Sequence, residues 1–293
     1  MDRITRRAYA KINIGLKVIS KRDDGYHNIE TLFQQIDFFD QIVLKRTPGL
    51  EIIIRCDDQR VPINRDNLCY KAVELFQKRT GINQGVDIEI HKRIPIGAGL
   101  GGGSSNAAAT LEGLTKLWPC NIALDELQEM GSKLGADVPF FLRGGTALAS
   151  GIGDKITPVA LPFSFHCLLI YPNIEISTTW VYKNFTFVLT KTKKCIKLSH
   201  FFSQQINLGD LKGEITNDLE EVVFKQYPVL SQIKQLLYSK GAFFASMSGS
   251  GSTIYGLFKN FFEAVVVMKS IPKPYKTILA KPMITKNLLQ EIF

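Results

Sequence analysis

The stretch IPIGAGLGGGSSNAAA, residues 94–109, places five glycines within seven positions and then continues into serines and alanines. Glycine lets backbone N–H groups approach an anion closely, and the first turn of a helix adds unpaired donors with a partial positive charge. A helix is predicted to begin near Ser104 or Ser105, because apolar residues then recur at helical spacing as far as Pro119, namely Ala107, Leu111, Leu114 and Trp118. The stretch therefore predicts a phosphate-binding loop, with Lys92 and Arg93 adding positive charge.

Two better-known phosphate loops do not fit this context. Residues 97–102 satisfy G-x-G-x-x-G, but the preceding segment Val86-Asp87-Ile88-Glu89-Ile90 alternates as a half-exposed strand does, and one helix follows another. A dinucleotide-binding unit needs a buried strand and a second strand after the helix. A P-loop needs a lysine where this chain has Gly103.

Strand-like and helix-like segments alternate along the chain, which indicates an α+β or α/β fold. The predicted strands cover residues 36–44, 50–54, 86–90, 165–171 and 253–258, and the predicted helices cover 68–79, 104–118, 124–134 and 230–237. Asp66 or Asn67 is expected to cap the first helix, and Asp137 is expected at a helix boundary. A linker-like stretch at 158–162 predicts two domains, residues 1–160 and 161–293.

The composition is that of an ordinary globular protein, with 45% hydrophobic and 22% charged residues and a net charge of +9. Five widely spaced cysteines contain no C-x-x-C pair, so we expect free thiols in a reducing cytoplasm. No signal peptide or membrane-spanning run is evident. The lysine-rich stretch KTKKCIKL, residues 191–198, lacks the aromatic interleaving of a nucleic-acid binder and is interpreted as a solvated face.

Three motifs in order resemble those of the GHMP kinase superfamily. They are AKINIGL (10–16), the glycine loop from Pro95 to Ser105, and SMSGSGST (246–253). The resemblance implies an α+β, two-domain GHMP kinase fold, with a ribosomal-protein-like N-terminal domain and a ferredoxin-like C-terminal domain. It also implies ATP-dependent phosphorylation of a small-molecule alcohol.

Further segments resemble one branch of that superfamily, namely DGYHNIETLFQQID (24–37), LGADVPFFLRGGTALASGIGD (134–154) and TNDLE (216–220). Members of that branch phosphorylate the 2-hydroxyl of 4-diphosphocytidyl-2-C-methyl-D-erythritol with ATP, in non-mevalonate isoprenoid precursor biosynthesis. The resemblance implies the same two substrates here, with Mg²⁺ accompanying the nucleotide.

By the same resemblance, Asp137 is similar to the catalytic aspartate and Lys11 to the active-site lysine. Phosphoryl transfer needs a positioned hydroxyl, a group that accepts its proton and neutralisation of charge on the phosphoryl oxygens. A carboxylate with an ammonium group beside it meets the last two needs. Taken singly, Asp137 could instead be a helix cap and Lys11 a surface charge.

The resemblance also implies binding residues. For the cytidylyl substrate these are Asn13, Tyr26, His27, Thr178, Tyr182 and Gly249, with the aromatic rings stacking on cytosine. Trp180 and Phe185 are alternatives to Tyr182, because they lie two and three residues from it, and a shift of about one helical turn would substitute one aromatic ring for another. For ATP they are Asn67, Lys92, Pro95, Gly97, Gly99, Leu100, Gly101, Gly102, Gly103, Ser104 and Ser105. Ser105 is a possible magnesium ligand, no protein metal site is predicted, and Arg143 and Asp154 receive no role.

The sequence is also compatible with other functions. The chain could be another small-molecule GHMP kinase, a nucleotide-binding sensor without catalysis, or a nucleic-acid binder that uses its positive charge. A diffuse charge and an unexplained glycine loop weigh against the nucleic-acid binder. Neither nucleic acid nor membrane is expected as a partner, and a monomer or a homodimer is expected.

Overall fold

The computed structural model describes residues 2–161, 163–186, 198 and 211–284. Two compact units divide the chain: Met1–Ala10, Phe38–Pro95 and Gly101–Gly144 form the first, while Lys11–Asp37, Ile96–Leu100 and Gly145–Phe293 form the second. The long strands β1 (Arg3–Lys21) and β2 (His27–Thr47) pair with each other and contribute residues to both units. The predicted domain boundary near residue 160 stays a prediction.

The first unit combines sheet with helices. β3 (Ile52–Cys56) pairs in parallel with β4 (Gly85–His91), and β4 pairs antiparallel with the Gln41–Thr47 part of β2. The helices are α1 (Leu68–Thr80), α2 (Gly102–Leu117), α3 (Leu124–Leu134) and α4 (Val138–Arg143). The predictions for α1 and α3 are confirmed almost to the residue, including the Asn67 cap, whose Oδ1 accepts from Cys69 N at 2.8 Å.

The interpretation of β4 as half-exposed is only partly right. Val86, Ile88 and Ile90 are buried as the alternation predicts. Asp87, which the same alternation places in solvent, is also buried, and Arg55 of the neighbouring β3 pairs with its carboxylate.

The second unit contains two groups of strands. The Thr31–Gln34 part of β2 pairs with β5 (Thr146–Ser150), which pairs with β6 (Lys155–Pro158). The other group is an antiparallel sheet in the order β10-β7-β9-β8, formed by β7 (His166–Tyr171), β8 (Phe244–Met247), β9 (Ile254–Phe258) and β10 (Lys276–Ala280). Numbered within that sheet the order is 4-1-3-2, which confirms the expected ferredoxin-like arrangement.

Helices pack against this antiparallel sheet, and buried side chains from the helices and the strands form a hydrophobic core. The helices are α5 (Thr178–Asn184), α6 (Leu211–Glu214), α7 (Glu220–Gln226), α8 (Pro228–Ser239) and α9 (Phe261–Ser270). α8 packs on β8 and β9, and α9 packs on β7 and β10. Every residue of β9 is buried, as expected for a central strand whose two faces are both covered.

A buried carboxylate fixes the approach to the glycine loop in the first unit. Asp40 of β2 is fully buried and accepts hydrogen bonds from Lys92 Nζ, from Arg93 N at 2.6 Å and from Ile94 N at 2.8 Å. With its amide oriented to donate, Asn106 Nδ2 of α2 lies 2.9 Å from Asp40 and 3.0 Å from Gly102 O. One carboxylate therefore holds both the segment that enters the loop and the helix that leaves it.

We expect Asp40→Ala to destabilise the protein by about 3–5 kcal/mol, because it leaves the buried Lys92 ammonium and two amide donors without their acceptor. Chemical denaturation measures the free energy of unfolding. The matched control is Asp23→Ala at an exposed position, which should change it by less than about 0.5 kcal/mol. Equal losses in the two variants would contradict the bracing role of Asp40.

Candidate active site

Within the second unit, the carbonyl groups of residues 97–100 all accept hydrogen bonds from protein groups. Gly97 O accepts from Ile176 N (3.3 Å), Ala98 O from Thr253 N (3.2 Å) and Leu100 O from Lys11 N (3.1 Å). Gly99 O accepts from both Lys11 Nζ (3.1 Å) and Ser248 Oγ (2.8 Å). No amide N–H of residues 97–100 donates to another residue that the structure describes. The loop therefore uses its acceptors internally, and its donors have no protein partner among the described residues.

Gly99 is held so tightly that no side chain fits. Its φ is +75°, and a Cβ placed on it would lie 2.0 Å from Ser248 O and 2.9 Å from Gly251 O. Both neighbours are backbone atoms and cannot rotate away. This glycine therefore serves close packing between two glycine-rich loops as well as backbone freedom.

In the first unit, α2 begins at Gly102, two residues before the predicted start at Ser104. Its N-cap is Gly101, with φ of 71° and no side-chain capping bond, so the first-turn amides are not occupied by a cap. Lys92 Nζ lies 3.1 Å from the position that a Cβ on Gly102 would take. Among the described residues the amides of this helix terminus have no capping partner, and they lie beside a buried cation, as the sequence predicted for an anion site.

The two serines of the loop are not equivalent. Ser105 is buried and its Oγ donates to Tyr9 O at 2.6 Å. Ser104 is half-buried, and among the residues that the structure describes its hydroxyl has no hydrogen-bond partner. Ser104 is therefore the better placed of the two for contact with a ligand.

Lys11 and Asn13 form a buried polar pair in the second unit. Lys11 Nζ donates to Asn13 Oδ1 at 2.5 Å and lies 5.1 Å from the Phe33 ring centroid. Asn13 Nδ2 donates to Thr31 Oγ1 at 2.9 Å, which fixes the amide orientation. A Cβ on Gly249 would lie 3.3 Å from Lys11 Nζ. The structure therefore brings together the predicted residues Lys11, Asn13, Gly99 and Gly249. Lys11 is 4% exposed, which excludes its alternative interpretation as a surface charge.

Asp137 occupies the N-cap position of α4, where the sequence placed it, but its side chain makes no capping hydrogen bond. The alternative interpretation as a helix cap is therefore not supported. The residue is half-buried. In the same unit, the preceding Gly135 lies near α2, since a Cβ on it would be 3.7 Å from Ser104 Oγ. The Asp137 loop thus adjoins the first turn of α2.

The aromatic residues of the predicted cytosine site separate into two groups. His27 stacks on Tyr182, with ring centroids 5.2 Å apart, and meets Phe185 edge-on at 6.3 Å. Trp180 instead contacts Tyr227. Burial lowers the pKa of His27, with a smaller effect from Lys21, so the imidazole stays neutral at neutral pH and offers one donor and one acceptor.

The other predicted substrate residues are exposed. Tyr26 is 61% exposed, and Thr178, also exposed, shares a hydrogen bond of 2.8 Å with Ser250. Of the predicted ATP residues, Asn67 and Lys92 are engaged internally: Asn67 Nδ2 donates to Pro62 O at 2.6 Å and Lys92 pairs with Asp40. Pro95 is half-buried, Leu100 buried and Gly103 exposed.

Two residues with clear structural roles were missed by sequence reasoning. Ser248 and Asn217 lie in motifs that the sequence singled out, yet neither was assigned a role. Ser248 bonds Gly99 O, and Asn217 bonds Met247 O and Gly249 O. Ser248 could have been identified as a candidate because it is a polar residue within a glycine-rich motif. Its partner Gly99, however, is too distant in sequence for any local pattern to reveal.

Disulfides, metal-binding clusters and membrane-spanning helices are absent from the part of the chain that the structure describes. There, Cys56, Cys69, Cys120 and Cys167 form no disulfide. The same residues contain neither a group of three or more His, Cys, Asp or Glu side chains arranged for a metal ion nor a helix long and apolar enough to cross a bilayer. Cys195 and the lysine-rich stretch, except Leu198, lie outside the described residues.

Sequence comparison matches both halves of the chain to one family. Models of the GHMP kinases N terminal domain and the GHMP kinases C terminal match residues 67–145 and 202–277. A 4-diphosphocytidyl-2-C-methyl-D-erythritol kinase from Caldanaerobacter subterraneus subsp. tengcongensis is 40% identical over 96% of this chain and 97% of the relative. One from Prosthecochloris aestuarii is 39% identical over 94% and 96%. The chain belongs to the 4-diphosphocytidyl-2-C-methyl-D-erythritol kinase family of GHMP kinases.

Structural comparison agrees with this membership. The crystal structure of a 4-(cytidine 5'-diphospho)-2C-methyl-D-erythritol kinase matches with a TM-score of 0.76 and 31% identity, over 95% of this GHMP kinase and 99% of the other chain. Methanococcus jannaschii mevalonate kinase matches with a TM-score of 0.71 over 96% and 98%, but at 18% identity it shows the shared fold alone. The predicted fold class, a two-domain GHMP kinase, is confirmed, and the chain is an ATP-dependent small-molecule kinase.

We expect Gly99→Ala in this GHMP kinase to destabilise the protein by more than about 2 kcal/mol, because the new Cβ overlaps fixed backbone atoms at a positive φ. Thermal and denaturant unfolding measure the change. Gly103→Ala is the control for stability: it lies in the first turn of α2, and its Cβ would meet only Leu68 Cδ1 at 3.8 Å. That variant should be neutral or slightly more stable. A Gly99→Ala protein as stable as the control would show that the two loops are not closely packed.

Proposed function

We propose that this kinase transfers the γ-phosphoryl group of ATP to the 2-hydroxyl of 4-diphosphocytidyl-2-C-methyl-D-erythritol, giving the 2-phosphate and ADP in isoprenoid precursor biosynthesis. The observation that carries the phosphate part is the orientation of the glycine loop, whose carbonyl groups face protein partners while its amides have none among the described residues. Converging amide donors and a helix N-terminus bind phosphate oxygens. The names of the relatives support the choice of acceptor.

The catalytic roles are assigned to two residues. Asp137 accepts the proton of the acceptor hydroxyl, a role that suits a half-buried carboxylate whose side chain is not used to cap α4. Lys11 stabilises the negative charge that develops during transfer, since its ammonium group is buried and held by Asn13 Oδ1 and Gly99 O. Neither role requires a covalent intermediate, in keeping with phosphoryl transfer by positioning and electrostatics.

The nucleotide brings magnesium with it in this proposal, and the ion would neutralise the charge of the phosphates when bound. Its protein ligand would be Ser104, because Ser105 is 2% exposed and directed at Tyr9 O, whereas the Ser104 hydroxyl is half-buried and has no hydrogen-bond partner among the described residues. Asn67 and Lys92 are assigned to the nucleotide base, in addition to their internal contacts.

Recognition of the acceptor is assigned to the stack of His27 on Tyr182. A neutral imidazole can hydrogen-bond the polar edge of cytosine, and an aromatic face beside it suits a planar base. Phe185 forms the edge of this group, while Trp180 is directed to Tyr227. Tyr26, Asn13, Thr178 and Gly249 complete the proposed set.

The substrate assignment is tested by ADP release from purified protein with Mg-ATP, comparing the cytidylyl substrate with homoserine, mevalonate and no acceptor. We expect release with the cytidylyl substrate alone. Release with another alcohol would support kinase activity but contradict the proposed cytosine-binding site. ATP binding without release for any acceptor would favour a nucleotide sensor.

We expect Asp137→Asn to lower kcat by about 10²–10⁴-fold while nucleotide affinity changes only a few-fold, because the amide cannot accept the proton. Steady-state ADP release and nucleotide titration measure the two quantities. The control is Asp154→Asn, the same substitution at a carboxylate that accepts from Ile152 N and has no assigned role. Near-normal turnover of Asp137→Asn would remove Asp137 as the base.

A further inference from the structure

The segment Thr216–Glu220 connects two parts of the second unit that the proposed mechanism uses. It binds β1 just beyond Lys11 and Asn13: Leu16 N donates to Thr216 O at 2.9 Å, and Asp218 N donates to Leu16 O at 2.8 Å. Side chains extend the contact, since Lys17 Nζ donates to Asp218 Oδ1 at 3.1 Å and Val18 N to Asp218 Oδ2 at 3.0 Å. This segment is therefore fixed to the strand that carries Lys11.

The same segment binds the third motif through two buried side chains. Asn217 is 3% exposed, and its Nδ2 donates to Met247 O at 2.9 Å and to Gly249 O at 2.7 Å. Its Oδ1 accepts from Leu219 N at 3.0 Å, which fixes the amide orientation. Glu220 accepts from Met247 N at 2.8 Å and from Ser246 Oγ at 3.0 Å. Residues 246–249 are thus bound by side chains of one short segment.

The backbone held in this way faces the proposed catalytic lysine. A Cβ on Gly249 would lie 3.1 Å from Asn13 Oδ1 and 3.3 Å from Lys11 Nζ. The Cα of Gly249 therefore faces the Lys11–Asn13 pair, and its carbonyl oxygen accepts a hydrogen bond from Asn217. Asn217 touches neither Lys11 nor Asn13 in any contact described above, so its effect on them passes through Gly249.

We propose that Asn217 is a positioning residue, which sets the distance between Gly249 and the Lys11–Asn13 pair by holding two carbonyl groups of the third motif. The chemistry requires an amide. Both donors of one Nδ2 are used on two carbonyl oxygens, whereas an isosteric aspartate would place negative charge against them. This inference rests on the proposed function for the role of Lys11, but its structural part does not.

The test compares Asn217→Asp with Asp218→Asn. The variants are adjacent and nearly isosteric, but only the first loses the contacts to Met247 and Gly249; the second weakens the contacts to Lys17 and Val18. For Asn217→Asp we expect kcat to fall about 10–100-fold with KM for ATP within about 3-fold, because a displaced catalytic group lowers turnover more than binding. For Asp218→Asn both constants should stay within about 3-fold. Each variant is assayed well below its own unfolding midpoint.

A second measurement does not depend on activity. Amide hydrogen exchange of residues 246–253 should become faster in Asn217→Asp than in wild type, with β7 exchange unchanged, and Asp218→Asn should leave residues 246–253 as in wild type. If Asn217→Asp does not purify as a folded protein, both measurements are made on Asn217→Ala instead. That variant removes the two donors without adding charge.

The outcomes separate this inference from the proposed function. Wild-type protein that releases no ADP with the cytidylyl acceptor contradicts the proposed function, and the exchange comparison still decides whether Asn217 holds the loop. An active wild type with unchanged kcat in Asn217→Asp, an equal fall in Asp218→Asn, or unchanged exchange in residues 246–253 overturns the positioning role alone.

Discussion

The carbonyl oxygen of Gly99 is the acceptor on which the candidate site in the second unit depends. It receives one hydrogen bond from the Lys11 ammonium and one from the Ser248 hydroxyl, so residues of three separate motifs meet at one atom. The arrangement leaves no room for a side chain on Gly99. It also turns a carbonyl dipole toward a buried cation, which compensates part of the cost of removing that cation from water. The positions of the three motifs therefore depend on one another, because all three contribute to the hydrogen bonds at Gly99 O.

A second constraint operates in the first unit, where Asp40 gathers the donors of residues 92–94 and of Asn106. Burying an ion pair adds little net stability compared with apolar packing of the same volume. Its contribution here is geometric, because a carboxylate accepts several donors in defined directions and so fixes the start of α2 relative to β2. The α2 terminus, which we propose binds phosphate, is thus positioned by the buried Asp40 carboxylate.

The sequence predicted what local periodicity and motif chemistry determine. α1 and α3 follow from apolar spacing and end signals, and β7 and β9 of the antiparallel sheet follow from short apolar runs. β8 and β10 were not predicted from their own residues. The start of α2 was placed two residues late because glycine is a weak helix former, yet Gly102 joins the helix where Asn106 binds its carbonyl. Asp87 was placed in solvent because alternation cannot register an arginine on a neighbouring strand. Asn217 and Ser248 were missed because their partners lie 30 and 149 positions away.

The sequence distances in the second unit have a consequence for how the protein is made. Tyr255 donates to Asn13 O across 242 positions, and Lys17 pairs with Asp218 across 201. Closing such long loops is slow, and a chain emerging from the ribosome cannot do so before most of it has been synthesised. The region around Lys11 therefore finds Asn13, Gly99 and Leu100 early in translation, but its contacts with residues 216–255 form only when most of the chain has been made. The nascent N-terminal half has to remain soluble, or be protected by chaperones, until the last strands of the antiparallel sheet arrive.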